Sequence, residues 1–280
     1  MRVRDTVKEM TDGLRAAGIP SPRLEAELLC ALALQESRLF VTVHDDRELT
    51  AEEEAVCQSL LAKRSAGFPM AYLAGKKEFW GRDFFTAEGV LIPRPETEIL
   101  IESVLDRIPK GCGGRFADIG TGTGCIGLTL ALERPHMRGL LLEKSPQAAA
   151  LAEKNRQTLG AENVTVVLGD LFQAPIQKET LDVFVSNPPY IGREETADVM
   201  PDVMKWEPKE ALFSEDQGLR HLEACAKLAA NSLKKGGIAA FEHGWRQGAA
   251  VRELLAAQNF LRIITKKDLA GLDRTTLASI

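Results

Sequence analysis

From Glu96 to the end of the chain, short apolar runs alternate with longer stretches in which apolar residues recur at helical spacing. A short, continuously apolar run suits a strand covered on both faces, and the helical stretches between such runs suit crossover connections. The pattern therefore predicts a mostly parallel sheet with helices on both sides. Strands are predicted at Arg115–Ile119, Arg138–Leu142, Val164–Leu168, Val183–Ser186 and Ile238–Glu242. Two more, Leu261–Lys266 and Thr275–Ile280, are separated by little more than "KDLAGLDR". That connection is too short for a crossover helix, so the last pair is predicted to be antiparallel.

The first part of the chain has a different rhythm. In "SPRLEAELLCALAL", Ser21 is a candidate N-cap, Pro22 occupies the first helical position and apolar residues follow at helical spacing. A second helix is predicted in "TAEEEAVCQSLLAKRSAG", opened by a Thr50/Glu53 capping box and stopped by Gly67. Between Lys76 and Pro93 the aromatic, β-branched and glycine-punctuated "KKEFWGRDFFTAEGVLIP" predicts a hairpin-like connector. The expected organisation is a helical domain over residues 1–75, a linker over 76–95 and an α/β domain over 96–280.

Composition narrows the class without naming a function. At 280 residues and 45% hydrophobic, the chain can bury a full core. No apolar run reaches the roughly 18 residues of a membrane helix, and the amino terminus mixes acids with bases, so a cytoplasmic protein without membrane contact is expected. Five scattered cysteines without a C-x-x-C pair suggest neither a disulfide framework nor zinc, and the four histidines lack ligand spacing, so no metal is expected. A net charge of −5 argues against a protein that grips phosphate backbones, and direct nucleic-acid binding is not expected.

Ligands of such sheets bind beyond the carboxyl ends of the strands, and the residues there have a pattern. The first strand of the sheet runs into "FADIGTGTGCIG". Gly120, Gly122 and Gly124 permit tight turns and close backbone approach, ahead of a helix whose positive end faces the ligand region. Gly122, Gly124 and Gly127 also fit G-x-G-x-x-G, which marks either a nucleotide-like ligand or simply a tight strand-to-helix turn. The next strand ends at Glu143, either a ribose-binding acid or a charge at a helix N-terminus. The third ends at Asp170, either an acceptor for an adenine amino group or a turn cap. Three acids, Asp118, Glu143 and Asp170, at three successive strand ends suit a ligand with a ribose, an adenine and a cationic group better than one with a pyrophosphate.

The fourth strand ends in "SNPPYI". Pro188 and Pro189 stiffen the turn and remove N–H donors, so carbonyl oxygens are presented without competition. Asn187 adds a side-chain acceptor and Tyr190 a flat face. Together they can receive a planar –NH2 group: Asn187 Oδ1 and the Pro188 carbonyl each accept one N–H while Tyr190 packs on the plane. The alternative is a stiff loop with an Asx turn.

"DIGTGTG", Glu143 and "SNPPY" together resemble class I S-adenosylmethionine-dependent methyltransferases that modify amino groups. With "AGFPMAYLAGKKEFWG", "VLIPRPETE", "EPKEAL" and "KDLAGLDR" in this order, the chain is similar to the bacterial peptide chain release factor glutamine methyltransferases, the HemK/PrmC family. The resemblance implies a seven-stranded, mostly parallel sheet with the last strand antiparallel, and a small N-terminal helical domain. It implies S-adenosyl-L-methionine as methyl donor, S-adenosyl-L-homocysteine as product, and as substrate the glutamine of the Gly-Gly-Gln motif of class 1 release factors. Carried over residue by residue, the cofactor site comprises Asp118, Gly120, Thr121, Gly122, Thr123, Gly124, Glu143, Asp170, Leu171 and Asn187. The catalytic and substrate-binding group comprises Asn187, Pro188, Pro189 and Tyr190, with Glu207 and the segment Pro93–Glu98 bordering the pocket. Two positions depart from the family pattern: Glu143 stands where aspartate is usual, and Leu171 where a larger aromatic is common. The same quartet also occurs in adenine-N6 and guanine-N2 nucleic-acid methyltransferases, which would require a basic surface and an aromatic-lined pocket.

Overall fold

Thr50 and Glu53 satisfy each other's helix terminus. The Thr50 hydroxyl accepts the Glu53 N–H at 3.2 Å and Glu53 Oε2 accepts the Thr50 N–H at 2.9 Å, opening the helix Ala51–Ser65. This helix packs with Val3–Ala16 and Pro22–Leu34 around Val3, Met10, Leu14, Leu29, Cys30 and Cys57. Pro22 does start its helix, but Ser21 makes no side-chain cap bond. Its φ of 51° lies in the left-handed region, whereas a capping hydroxyl needs an extended residue to face the free N–H groups. The structure, a computed structural model, describes residues 1–280 apart from the side chain of Asp198. It divides into two units, Met1–Gly75 and Lys76–Ile280.

The second unit begins with a hairpin, β1 (Lys76–Phe79) and β2 (Arg82–Phe85). Its two turn residues, Trp80 and Gly81, have φ of 53° and 69°, the left-handed pair that a two-residue turn of matching twist requires. Phe79 and Phe84 meet edge to face at 6.0 Å and are buried in one core cluster with Leu100, Ile101, Phe116 and Leu128. The segment expected to be a linker is thus part of the second unit's core, because both rings point to the same side and need cover.

The main sheet comprises β3 (Gly114–Ile119), β4 (Met137–Glu143), β5 (Val164–Leu168), β6 (Leu181–Ser186), β7 (Leu233–Glu242), β8 (Leu261–Lys267) and β9 (Asp273–Ser279). Their order is β5-β4-β3-β6-β7-β9-β8, and β9 runs antiparallel to both of its neighbours. Alternation of side chains sorts the core into two layers. Phe116, Val183, Val185, Ala240 and Leu277 face one layer, and Ala117, Ile119, Phe184, Ala239, Phe241 and Ala278 face the other. Chain order reverses at β3, which pairs in parallel with β4 on one side and β6 on the other. The crevice at such a switch point is where open α/β sheets take ligands.

Asn155, fully buried on the helix Pro146–Leu159, ties the hairpin to the loop after β3. Its Oδ1 accepts the Phe85 N–H at 2.7 Å, and its Nδ2 donates to the Phe85 carbonyl at 3.2 Å and the Thr123 carbonyl at 2.9 Å. Asn155→Ala would strand all three backbone groups. Since each buried group left unpaired costs about 1–3 kcal/mol, urea unfolding should show a loss of at least about 3 kcal/mol. A loss below about 1 kcal/mol would mean that water replaces the amide and that this tie is dispensable.

Candidate active site

Three peptide groups of the glycine loop are held from behind by its neighbour strand. The N–H groups of Gly120 and Thr121 donate to the Leu142 carbonyl at 2.8 and 3.1 Å, and the Gly122 N–H donates to Glu143 Oε2 at 2.8 Å. Gly120, Gly122 and Gly124 have φ of 72°, 58° and 84°, which L side chains rarely adopt. A Cβ on Gly120 or Gly122 would meet no atom within 4 Å, so both open onto free space where a ligand can approach the backbone. At Gly124 a Cβ would meet Leu128 Cδ1 at 2.8 Å, so this glycine is required by packing.

Asp118 faces inward and is fully buried in the middle of β3. Its Oδ2 accepts from the Thr121 hydroxyl and from the Gly127 N–H at 2.9 Å, and so pins both ends of the loop, while Oδ1 has no hydrogen-bond partner among the described residues. Burial pushes its carboxyl up to about 7. The expected direct contact of Asp118 with a cofactor is therefore corrected to a supporting one: its pleat position turns the side chain into the layer beneath the loop.

Glu143 stands half-buried at the tip of β4, where its oxygens accept the N–H groups of Gly122 and Ser145, each at 2.8 Å. Two of its roughly four lone-pair positions remain for a ligand. Asp170 follows β5 and accepts the Phe172 N–H at 3.0 Å, capping a short 3-10 turn; Lys144 approaches its other oxygen at 2.9 Å and holds the carboxyl below its usual range. Leu171 is half-buried against the second core layer, and the aromatic absent from its position occurs one residue later as exposed Phe172.

Beyond β6, Asn187 and Tyr190 line a cavity of about 510 Å³ together with Arg94, Glu96, Glu242 and Arg274. Asn187 Nδ2 donates to the Thr97 hydroxyl at 3.3 Å, and Asn187 Oδ1 takes no hydrogen bond from any described residue. The Tyr190 hydroxyl donates to Glu242 Oε1 at 3.4 Å, and the Tyr190 carbonyl accepts Gln247 Nε2 at 2.8 Å. Pro188 is buried and Pro189 half-buried; neither lines the cavity, so their part is to stiffen the turn between the two residues that do. The chain after the turn is fastened by Ile191 N–H to Leu212 carbonyl and Ser214 N–H to Ile191 carbonyl bonds of 3.0 and 2.9 Å.

Glu207 does not reach the cavity. It is 5% exposed, and its oxygens accept from Arg94 at 2.5 Å and from the Ile92 N–H at 3.1 Å. Its expected substrate contact is corrected to a brace that sets Arg94 in the cavity wall. Thr97, Asn155, Glu242 and Arg274 were not singled out by sequence reasoning. Glu242 had a readable signal, since it too is an acid at the end of a predicted strand.

Because burial raises Asp118 above its unfolded value, folding favours the neutral carboxyl. Its stabilising contribution is complete below about pH 4 and is lost as pH rises through about 7. Asp118→Asn removes this titration, so unfolding free energy should shift in the variant's favour, relative to the wild type, as pH is raised from 5 to 8 in urea titrations. A difference that stays constant across that range would show that Asp118 is ionised throughout.

Residues 5–75 match the family described as the PrmC N-terminal domain, and residues 95–216 match the Methyltransferase small domain. Among curated relatives, the release factor glutamine methyltransferase of Nitratidesulfovibrio vulgaris is 39% identical over 95% of this chain and 90% of its own. The proteins of that name from Koribacter versatilis and Escherichia coli are 38% and 35% identical, over 97% and 99% of this chain and 98% of each relative. Solved structures share the fold of the second unit at low identity. A methyltransferase from Pyrococcus furiosus has a TM-score of 0.53 at 19% identity, covering 72% of this chain and 90% of that one. The ribosomal protein L11 methylase from Lactobacillus delbrueckii subsp. bulgaricus has a TM-score of 0.50 at 16% identity, covering 72% of this chain and 89% of that one. With a strap of buried acids under a glycine loop, an N-P-P-Y turn one strand away and near-full-length identity to these relatives, the chain belongs to the release factor glutamine methyltransferase family.

Proposed function

We propose that this protein transfers a methyl group from S-adenosyl-L-methionine to the side-chain amide nitrogen of the glutamine in the Gly-Gly-Gln motif of class 1 peptide chain release factors, working where translation takes place, in the cytoplasm. The observation that carries this reading is the β3–β6 register. Ile119 pairs with Ser186, so the glycine loop and Asn187 leave adjacent strands at the same level, one strand spacing of about 4.8 Å apart. A donor cradled by the first and an acceptor held by the second are then neighbours.

The residues fit this cofactor. Free space over Gly120 and Gly122 admits a ligand to the loop, Glu143 has lone pairs left for a ribose diol, and Asp170 with Phe172 can border an adenine. When bound, S-adenosyl-L-methionine supplies an electrophilic methyl on a sulfonium. Everything else falls to the chain. A glutamine amide nitrogen is a weak nucleophile because its lone pair is delocalised into the carbonyl. Asn187 Oδ1 and the Pro188 carbonyl, accepting its two hydrogens, draw electron density to nitrogen and stabilise the positive charge that grows there. Tyr190 covers the amide plane. Holding nitrogen in line supplies a further large share, up to roughly 7–11 kcal/mol in model systems. No general base is needed before transfer, since the nitrogen becomes acidic only after methylation. The unit Met1–Gly75 contributes none of these groups, and we assign it to docking the release factor.

Radiolabelled S-adenosyl-L-methionine offered with a release factor, duplex DNA or ribosomal RNA should label the release factor alone, and label in a nucleic acid instead would reverse the assignment. In the same assay Asn187→Ala should lower transfer by roughly 10²–10³ with cofactor affinity nearly unchanged, the scale for deleting one preorganised polar partner of a transition state. A fragment beginning at Lys76 should still bind cofactor by calorimetry but methylate intact release factor more slowly than the full chain. Equal rates would remove the docking role from the first 75 residues.

A further inference from the structure

An asparagine amide is nearly isosteric about its long axis, so packing alone does not decide whether oxygen or nitrogen faces a substrate. For Asn187 the choice is decisive. With Oδ1 forward it accepts a substrate N–H; with Nδ2 forward it would oppose one donor with another. Its amide nitrogen turns back to the Thr97 hydroxyl at 3.3 Å. A hydroxyl has one proton and two lone pairs, so Thr97 could equally well donate to Asn187 and hold it the wrong way round. Whatever claims the Thr97 proton therefore sets the orientation of Asn187.

That group is the carboxyl of Glu242, the terminal residue of β7, 1% exposed and hydrogen-bonded by the Thr97 side chain. Thr97 is itself 2% exposed, so no bulk water competes for the proton. Glu242 Oε1 also receives the Tyr190 hydroxyl at 3.4 Å, and Oε2 has no hydrogen-bond partner among the described residues. An ionised carboxylate only accepts, so both hydroxyls must turn their protons towards it. A buried carboxyl with an unpartnered oxygen costs stability, and apolar packing would serve the fold better. Glu242, Asn187 and Tyr190 all line the same cavity.

We propose that Glu242 is a positioning residue for methyl transfer: acting through Thr97, it locks the Asn187 amide with Oδ1 towards the cavity, and directly it anchors Tyr190. This rests on the methyl-transfer reading above. The groups facing the carboxyl are Thr97 and Glu96 on the turn before the first helix of the unit, Tyr190 after β6, Arg274 on β9 and Cys125 at the start of the helix after the glycine loop. Arg274 favours the ionised form, Glu96 opposes it, and burial outweighs both, pushing Glu242 up to about 7. Protonation gives the carboxyl a hydrogen of its own to donate to Thr97, which frees the Thr97 proton for Asn187 Oδ1 and reverses the amide.

Steady-state labelling of release factor at saturating S-adenosyl-L-methionine tests the lock with Glu242→Gln, Thr97→Val and the double variant. Glu242→Gln keeps the shape but presents an N–H to Thr97, and should lower kcat about 10²-fold with the KM for cofactor unchanged. Thr97→Val should cause a loss of the same order, and the double variant should lose no more than the worse single one, because all three break one chain of bonds. In the wild type, kcat should rise with pH through about 7 as Glu242 ionises, and this acidic limb should vanish in Glu242→Gln. Full activity of Glu242→Gln, multiplicative losses in the double variant, or an acidic limb that persists in Glu242→Gln would each overturn the lock. Failure of the wild type itself to label release factor would instead overturn the underlying assignment. If Glu242→Gln does not fold, Thr97→Val carries the test, and an unchanged kcat in it refutes the proposal.

Discussion

Parallel pairing of β3 with β4 and with β6 is the constraint from which the site follows. In a parallel ladder the strands begin and end at the same edges, so chemistry that lies far apart in sequence emerges at one rim. Gly120, Glu143, Asn187 and Glu242 all stand at or just past the ends of strands hydrogen-bonded to their neighbours. A slip of one residue between β3 and β6 would turn Asp118 out of the layer beneath the loop and bring an apolar side chain in, since side chains alternate faces with a period of two. The cores on both faces of the sheet make such a slip costly.

Within this frame two carboxyl groups are buried that a stability-optimised core would not contain. Asp118 holds the loop's turns through Thr121 and Gly127 from one face of β3, and Glu242 holds the acceptor turn through Thr97 and Tyr190 at the end of β7. Burial raises both to about 7, so both work against stability as pH rises. The two sit under the two halves of the reaction, one beneath the donor cradle and one behind the acceptor. A third buried carboxyl, Glu207, differs in having a full ion pair with Arg94, and it shapes the cavity wall without meeting the cavity.

Periodicity alone determined the strands of the sheet to within a few residues at most ends, the antiparallel final pair, the capping box at Thr50 and the hairpin after Lys76, because these depend on neighbours close in sequence. The glycine loop and the N-P-P-Y turn were legible for the same reason: positive φ and a rigid proline turn are local demands that few residue types meet. What each side chain at a strand tip touches is not local. Asp118 reads like Glu143 in the sequence, yet the pleat sends one under the loop and leaves the other at its rim; Glu207 reads as a pocket residue, yet Arg94, more than a hundred positions earlier, claims it. Thr97 and Glu242 show no pattern that links them. Only the fold brings the turn after Pro95 against the end of β7, and only there, with water excluded, does the direction of a single hydroxyl proton decide which face of Asn187 meets the substrate.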